Sequence, residues 1–213
     1  MAKVHVNHYP PDSTDLTRFC EEFEFPVLLV RDPRDRMISE SFFIPRESQA
    51  QRLEFIRLMR AKEREPGKFS MFTDIAGHLA HTLRFSQQLD EVRVAHPRLR
   101  LLRYEDFMQG NWAELEAYLG FSLFRGRIDN QKNLIHRSGL VDQWRSYLTP
   151  DDVSFLREPL SPFLHNFGYE ADDWELSHRD SLDPQVGSEY LRHKYAREFP
   201  DIPPEAYNAA YED

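Results

Sequence analysis

FPVLLVRDPRDRMISE, residues 25–40, sets an apolar run directly against two arginines, two aspartates and a proline. PVLLV is an unbroken apolar segment of strand length, the pattern of a strand covered on both faces in a parallel sheet. Pro33 suits the first position of a helix, and PRDRMISESFF predicts one. In a parallel α/β sheet, ligands bind where a strand ends and the next helix begins. There the first backbone N–H groups lack helical partners and the dipole presents its positive end. Arg31, at the strand tip, adds a planar set of donors suited to phosphate. Ser39 lies about 9 Å along the helix at 1.5 Å per residue, so its hydroxyl reaches the same anion only if the ligand follows the helix flank. The spacing equally allows the arginines to pair with Asp32, Asp35 and Glu40 at the surface.

Outward from this stretch the pattern is α/β. KVHVN alternates and predicts a short strand, closed by the turn HYPPDS. TDLTRFCEEF places Leu16, Phe19, Cys20 and Phe23 on one helical face. A charged helix is expected over 47–63, broken at EPGK, and a second from 72 to 92. RLRLLRYED predicts another strand with a polar end, and WAELEAYLG a short helix stopped by Gly120. In LTPDDVSFLREPL, Thr149 as N-cap, Pro150 at the first position and Asp152 three beyond the cap mark a helix start. The order implies a parallel sheet flanked by helices, with right-handed crossovers. From Glu170 the character shifts: residues 170–213 hold twelve acidic residues against four Lys or Arg. An α/β domain over 1–169 and an acidic C-terminal arm over 170–213 are the expected units. The arm is expected to wrap the domain, pair with a partner or stay partly mobile, with VGSEYLRHKYAREF as a helix within it and its tyrosines as docking contacts.

The bulk numbers bound the function. The chain has 213 residues, enough for one sizeable core. A net charge of −9 repels phosphate backbones, which argues against nucleic acid as a partner. Cys20 is the only cysteine, so an internal disulfide and a cysteine-rich zinc site are excluded, and it reads as a buried apolar side chain. No apolar run approaches the ~20 residues of a membrane span, and a soluble, cytoplasmic protein is expected.

LLVRDPRDRMIS resembles the 3′-phosphate-binding segment of the cytosolic-type sulfotransferases, which use 3′-phosphoadenosine 5′-phosphosulfate (PAPS). In that family the strand-end Arg and the Ser eight residues later hold the 3′-phosphate, which maps to Arg31 and Ser39. HYPP is similar to the family's His-Leu-Pro turn, whose His is the general base. His8 precedes Arg31 by 23 residues, close to the family spacing. LLRYEDF followed by LEAYLGF resembles the strand ending Tyr-Glu-Asp and its helix, which puts Tyr104 beside the adenine. HRSGLVDQWRSYLTPDD looks like the late Arg-Lys-Gly loop, whose Arg and backbone amides close over the 3′-phosphate. That maps to Arg137 and Gly139, with Ser138 in place of the usual Lys. FLHNFGYE matches the Leu-Gly-Tyr close of the domain, so the likeness covers residues 4–169.

The resemblance thus implies a P-loop-NTPase-like sulfotransferase fold and sulfuryl transfer from PAPS to a small-molecule, glycan or peptide hydroxyl or amine, without a metal. The family's 5′-phosphosulfate loop, Pro-Lys-Ser-Gly-Thr-Thr, belongs before the His, where this chain starts. Val6 stands where the family has a Lys that assists transfer. Three expectations follow: an N-terminally truncated enzyme, a degenerate non-catalytic binding module, or a site completed by a loop-donating partner chain or homo-oligomer. PGKFS around Lys68 is a poor substitute for the loop, and a phosphate-loop kinase is disfavoured because no Walker-type loop is present. Asp74, His78 and His81 form a D-x-x-x-H-x-x-H pattern that could suggest a metal pair. In the family the similar region packs beside the acceptor pocket. Trp144 reads as packing at the base of the late loop, and Glu105 as either structural or functional.

Overall fold

The computed structural model describes residues 13–124, 141–177 and 179–212. Its secondary structure is mostly helical around a small parallel sheet. In chain order the elements are α1 (Ser13–Glu22), β1 (Val27–Val30), α2 (Pro33–Phe43), α3 (Gln49–Arg64), α4 (Ile75–Ala95) and β2 (Arg100–Arg103). They continue with α5 (Tyr104–Gln109), α6 (Ala113–Leu119), α7 (Trp144–Tyr147), α8 (Pro150–Asn166), α9 (Ser188–Glu198) and α10 (Pro204–Glu212). A 3₁₀ turn, Pro184–Val186, precedes α9.

β1 and β2 run parallel, with Val27 opposite Arg100 and Val30 opposite Arg103. Parallel pairing requires a crossover, and α2, α3 and α4 supply it. The expected strand KVHVN lies outside the described residues. One face of the sheet is covered: Cys20, Val30, Leu89, Val92, Leu99 and Phe163 form a core in which α1, α4 and α8 meet the strands. The expectation that PVLLV is covered on both faces is corrected. Leu29 is 47% exposed, because the helices that pack on the strands take the Leu28 and Val30 face. A second correction concerns YED. β2 ends at Arg103, and Tyr104 begins a helical turn instead of continuing the strand.

Local chemistry explains where helices start and stop. Asp32 caps α2 by accepting the Arg34 N–H at 2.8 Å, and Pro33 follows at the first position. Thr149 and Asp152 form a reciprocal capping box at α8. Gly120 ends α6 at φ 75°, a left-handed conformation costly for any residue with a Cβ. α8 runs through Pro159 and Pro162. The carbonyls that these prolines leave without a helical donor belong to Phe155 and Glu158, both exposed, so water can serve them.

The larger core is helical, and the C-terminal residues belong to it. Leu191, Tyr195, Tyr207 and Ala210 are buried with Phe42, Ile56 and Met59. Side-chain hydrogen bonds of Glu63, Arg52 and Lys194 help to join the arm to α3 and the end of α2. Glu63 Oε1 accepts the Ser188 N–H at 2.5 Å and Oε2 the Ser188 hydroxyl at 2.6 Å, so a side chain of α3 caps α9 from across the core. Arg52 donates to the Tyr207 hydroxyl at 3.2 Å and to the carbonyls of Arg46 and Glu47. Lys194 donates to the Phe42 carbonyl from a buried position. Tyr195 and Tyr207, expected as docking contacts, pack within the chain itself.

Candidate functional site

The tips of β1 and β2 lie side by side, so whatever follows each strand meets its neighbour. Arg31 follows β1 and Tyr104 follows β2, and the Arg31 guanidinium lies over the Tyr104 ring, 4.7 Å from its centroid. The cation is attracted to the electron-rich face of the phenol, which fixes the planar donor set at the strand tip. The same guanidinium approaches Asp35 Oδ2, with Nη2 at 3.7 Å.

Asp35 is the most unusual group here. Its side chain is fully buried. Oδ1 accepts the Trp144 N–H at 2.9 Å, whereas Oδ2 makes no hydrogen bond. Burial pushes its carboxyl up to about 6, against the pull of Arg31 and of the Trp144 N–H. Asp35 and Ser39, four residues apart, share one face of α2, and Arg31, which precedes the helix cap, reaches Asp35 at the start of that face. Ser39 is partly buried on that face.

A scaffold of satisfied groups supports the tip. The Asp32 N–H donates to Glu105 Oε1 at 3.1 Å, and the Tyr169 hydroxyl donates to Glu105 Oε2 at 2.9 Å. Glu105 thus ties the start of α2 to α5 and to the chain beyond α8, which is a structural role. Burial, then the Glu105 carboxylate, pushes the Tyr169 hydroxyl up. Asp32 holds Arg34 with both oxygens, at 3.0 Å to Nε and 2.6 Å to Nη2. The Arg34 guanidinium lies against both Trp144 and Trp174, at 4.1 and 4.9 Å from the ring centroids. The expected arginine–aspartate pairs therefore exist, but Asp32–Arg34 is buried instead of lying at the surface. Trp144 is fully buried, as the packing reading requires.

Arg31 and Tyr104 are brought together, and Ser39 stands further along the α2 face. His8, Arg137, Ser138 and Gly139 lie outside the described residues. So does the proposed closure of Arg137 over the Arg31 side. Trp144, five residues after Gly139, is held to the first turn of α2 through Asp35. The spacing had listed Asp35 only as a surface partner for arginine. The clue to its role was its place four residues after Arg31.

A second polar group lies on α2 and α4. Glu40 faces both histidines, with His81 Nδ1 at 3.0 Å from Oε1 and His78 Nδ1 at 3.6 Å from Oε2. Burial works to raise the Glu40 carboxyl, but the close approach of His78 and the Arg36 and His81 charges outweigh it and hold it below the usual range. Asp74, the first member of the metal-like pattern, instead caps α4 by accepting the Gly77 N–H at 2.8 Å. Among the described residues no group of three or more His, Cys, Asp or Glu is arranged to hold a metal ion. No described helix is long and apolar enough to cross a membrane. Lys68 is exposed and pairs with Glu65, away from any strand end.

No protein-family model, curated protein or solved structure matches this chain. The likeness to sulfotransferases rests on the motifs quoted above.

Proposed function

We propose that the chain is a sulfotransferase-like protein with a P-loop-NTPase-like fold, which binds PAPS and passes its sulfuryl group to a hydroxyl or amine acceptor. One observation carries this reading. The Arg31 guanidinium lies over Tyr104 at the tips of adjacent parallel strands, directly before a helix N-terminus. These are the two residues that the family resemblance assigns to the 3′-phosphate and the adenine of one nucleotide. The donor chemistry fits a phosphate monoester: a planar cation at a strand tip, the start of a helix, and the Ser39 hydroxyl on the same helical face.

In this reading Arg31, Ser39, Arg137, Ser138 and Gly139 hold the 3′-phosphate and Tyr104 borders the base. His8 in its neutral form accepts the acceptor's proton as the oxygen or nitrogen attacks sulfur. The new bond forms at sulfur, the bond from sulfur to the 5′-phosphate oxygen breaks, and the nucleotide leaves with both its phosphates. A non-catalytic binding module is the second reading. It is favoured by Asp35, which already lies against Arg31 and so gives the tip an internal counter-charge.

Calorimetry with 3′-phosphoadenosine 5′-phosphate separates the two. Micromolar binding that is lost in Arg31→Ala supports a nucleotide protein, and no heat at millimolar ligand supports the module. A sulfuryl-transfer assay on the chain and on His8→Ala then tests the base. Equal activity in both removes His8 from that role.

A further inference from the structure

The strongest unexplained group in the molecule is the carboxyl of Asp35. Arg34 and Asp32 satisfy each other, Glu105 is fully engaged, and the buried charges of α3 all find partners. Asp35 has one oxygen committed to Trp144 and the other turned to Arg31 at 3.7 Å, beyond hydrogen-bond reach. Resting on the nucleotide reading above, we infer that Asp35 is a positioning residue that holds Arg31 in the ligand-free protein, and that a ligand phosphate displaces it from the guanidinium while Asp35 takes up a proton.

The physical case is one of competing anions. A phosphate monoester at Arg31 would stand beside a buried carboxylate with no water to screen the two. Two like charges at one site raise the proton affinity of the weaker acid, as in paired carboxylates. The charged groups facing Asp35 are Arg31 and Asp32 at the start of α2 and Glu105 on α5, and α7 contributes the Trp144 N–H. Two of the three charges are acidic, so Arg31 is the one charge among them that favours the ionised form, alongside the Trp144 N–H. Once phosphate engages Arg31, that charge no longer offsets the carboxylate and the Trp144 N–H is left to support it. A proton from solvent then goes to Oδ2, the oxygen without a hydrogen bond. The neutral acid can keep accepting the Trp144 N–H at Oδ1, so the attachment of α7 survives the exchange. Arg31 is 20% exposed, which gives an incoming anion a line of approach.

The test compares the whole chain with Asp35→Asn, which keeps an oxygen for the Trp144 N–H and removes the charge. 3′-Phosphoadenosine 5′-phosphate is titrated into both by calorimetry at several pH values from about 5 to 8. The ligand's own second ionisation, near pH 6, is common to both proteins and cancels in the ratio of affinities. Asp35→Asn is expected to bind about tenfold more tightly near pH 8, with the ratio closing towards one near pH 5, where Asp35 is already neutral. A constant ratio, or weaker binding by Asp35→Asn throughout, overturns the inference. If the wild type binds and Arg31→Ala does not, the nucleotide reading survives that result. If neither the wild type nor Asp35→Asn binds at millimolar ligand, the nucleotide reading falls and takes the inference with it.

A second measurement covers the case in which Asp35→Asn does not fold. Wild-type binding heats near pH 7.5 are compared in buffers of different ionisation enthalpy, at a pH where the ligand phosphate is almost wholly dianionic. Net proton uptake is expected, and zero or net release overturns the inference.

Discussion

Asp35 and Glu63 make an instructive pair. Both are buried carboxylates on helices, and burial raises the proton affinity of each. Glu63 has both oxygens filled by Ser188, whose amide opens α9. Asp35 has one oxygen filled and one facing an arginine at a distance that leaves room for exchange. A saturated buried charge acts as a rivet, since every alternative costs a hydrogen bond. A half-saturated one can change partner or protonation state at small cost. Lys62 belongs with Glu63: its ammonium donates to the carbonyls of Pro66 and Phe69 at 2.8 and 2.6 Å, closing the turn after α3. The α3–arm region is thus a scaffold, and the strand tip is a place where contacts can be traded.

Breaking the rivet gives the largest expected effect. Glu63→Ala leaves the start of α9 uncapped in a buried setting and should lower unfolding free energy by about 3 kcal/mol in urea melts. Nucleotide affinity per folded molecule should not change. Gly187→Ala acts on the same contact, because an added Cβ would stand 2.3 Å from Glu63 Oε1. At the tip the pattern reverses. Arg31→Ala should reduce affinity for 3′-phosphoadenosine 5′-phosphate by about a hundredfold, the scale of a charge-assisted bidentate contact. Its cost in stability should be least below pH 6, where Asp35 no longer needs a cation.

Lys62 sharpens the contrast through pH. Burial lowers its proton affinity from 10.5 to about 8, so between those values the unfolded chain binds more protons than the folded one. Folding stability should therefore rise as pH climbs from about 8 to about 10.5, by roughly 2 kcal/mol relative to Lys62→Met, read from denaturation midpoints. The smallest effect belongs to Asp173, which Arg145 holds at 2.5 Å and keeps down to about 2. The stabilisation it contributes is present above the usual carboxylate range and lost as pH falls towards 2. The pair is partly open to solvent, which screens it, so Asp173→Asn should cost under ~1 kcal/mol at neutral pH.

Helix starts were the most legible part of the sequence. PRDRMISESFF is α2 residue for residue, and Thr149-Pro150 with Asp152 opens α8, because caps and proline act within a few bonds of the backbone they fix. The adjacency of Arg31 and Tyr104 was legible only through the motif resemblance, since residues 73 apart carry no mark of contact in their spacing. RLLR read correctly as a strand, but the coverage of PVLLV did not follow from its apolarity, because burial depends on which helices land on each face.

Alone, the sequence determined the local punctuation of the helices, the parallel character of VLLV and RLLR, and the residue types gathered at the strand tip. The tertiary structure alone decided which charges are buried and how completely they are satisfied. QAQRLEFIRLMRAKER reads as a charged helix, and Arg52, Lys62 and Glu63 within it are interior. Their burial is permitted by the Ser188 amide and hydroxyl and the Tyr207 hydroxyl, which the distant arm brings to Glu63 and Arg52, and by carbonyls that the turns at either end of α3 fold back onto Arg52 and Lys62. A charge's solvation is a property of its three-dimensional surroundings, and the order of residues along the chain does not encode it locally.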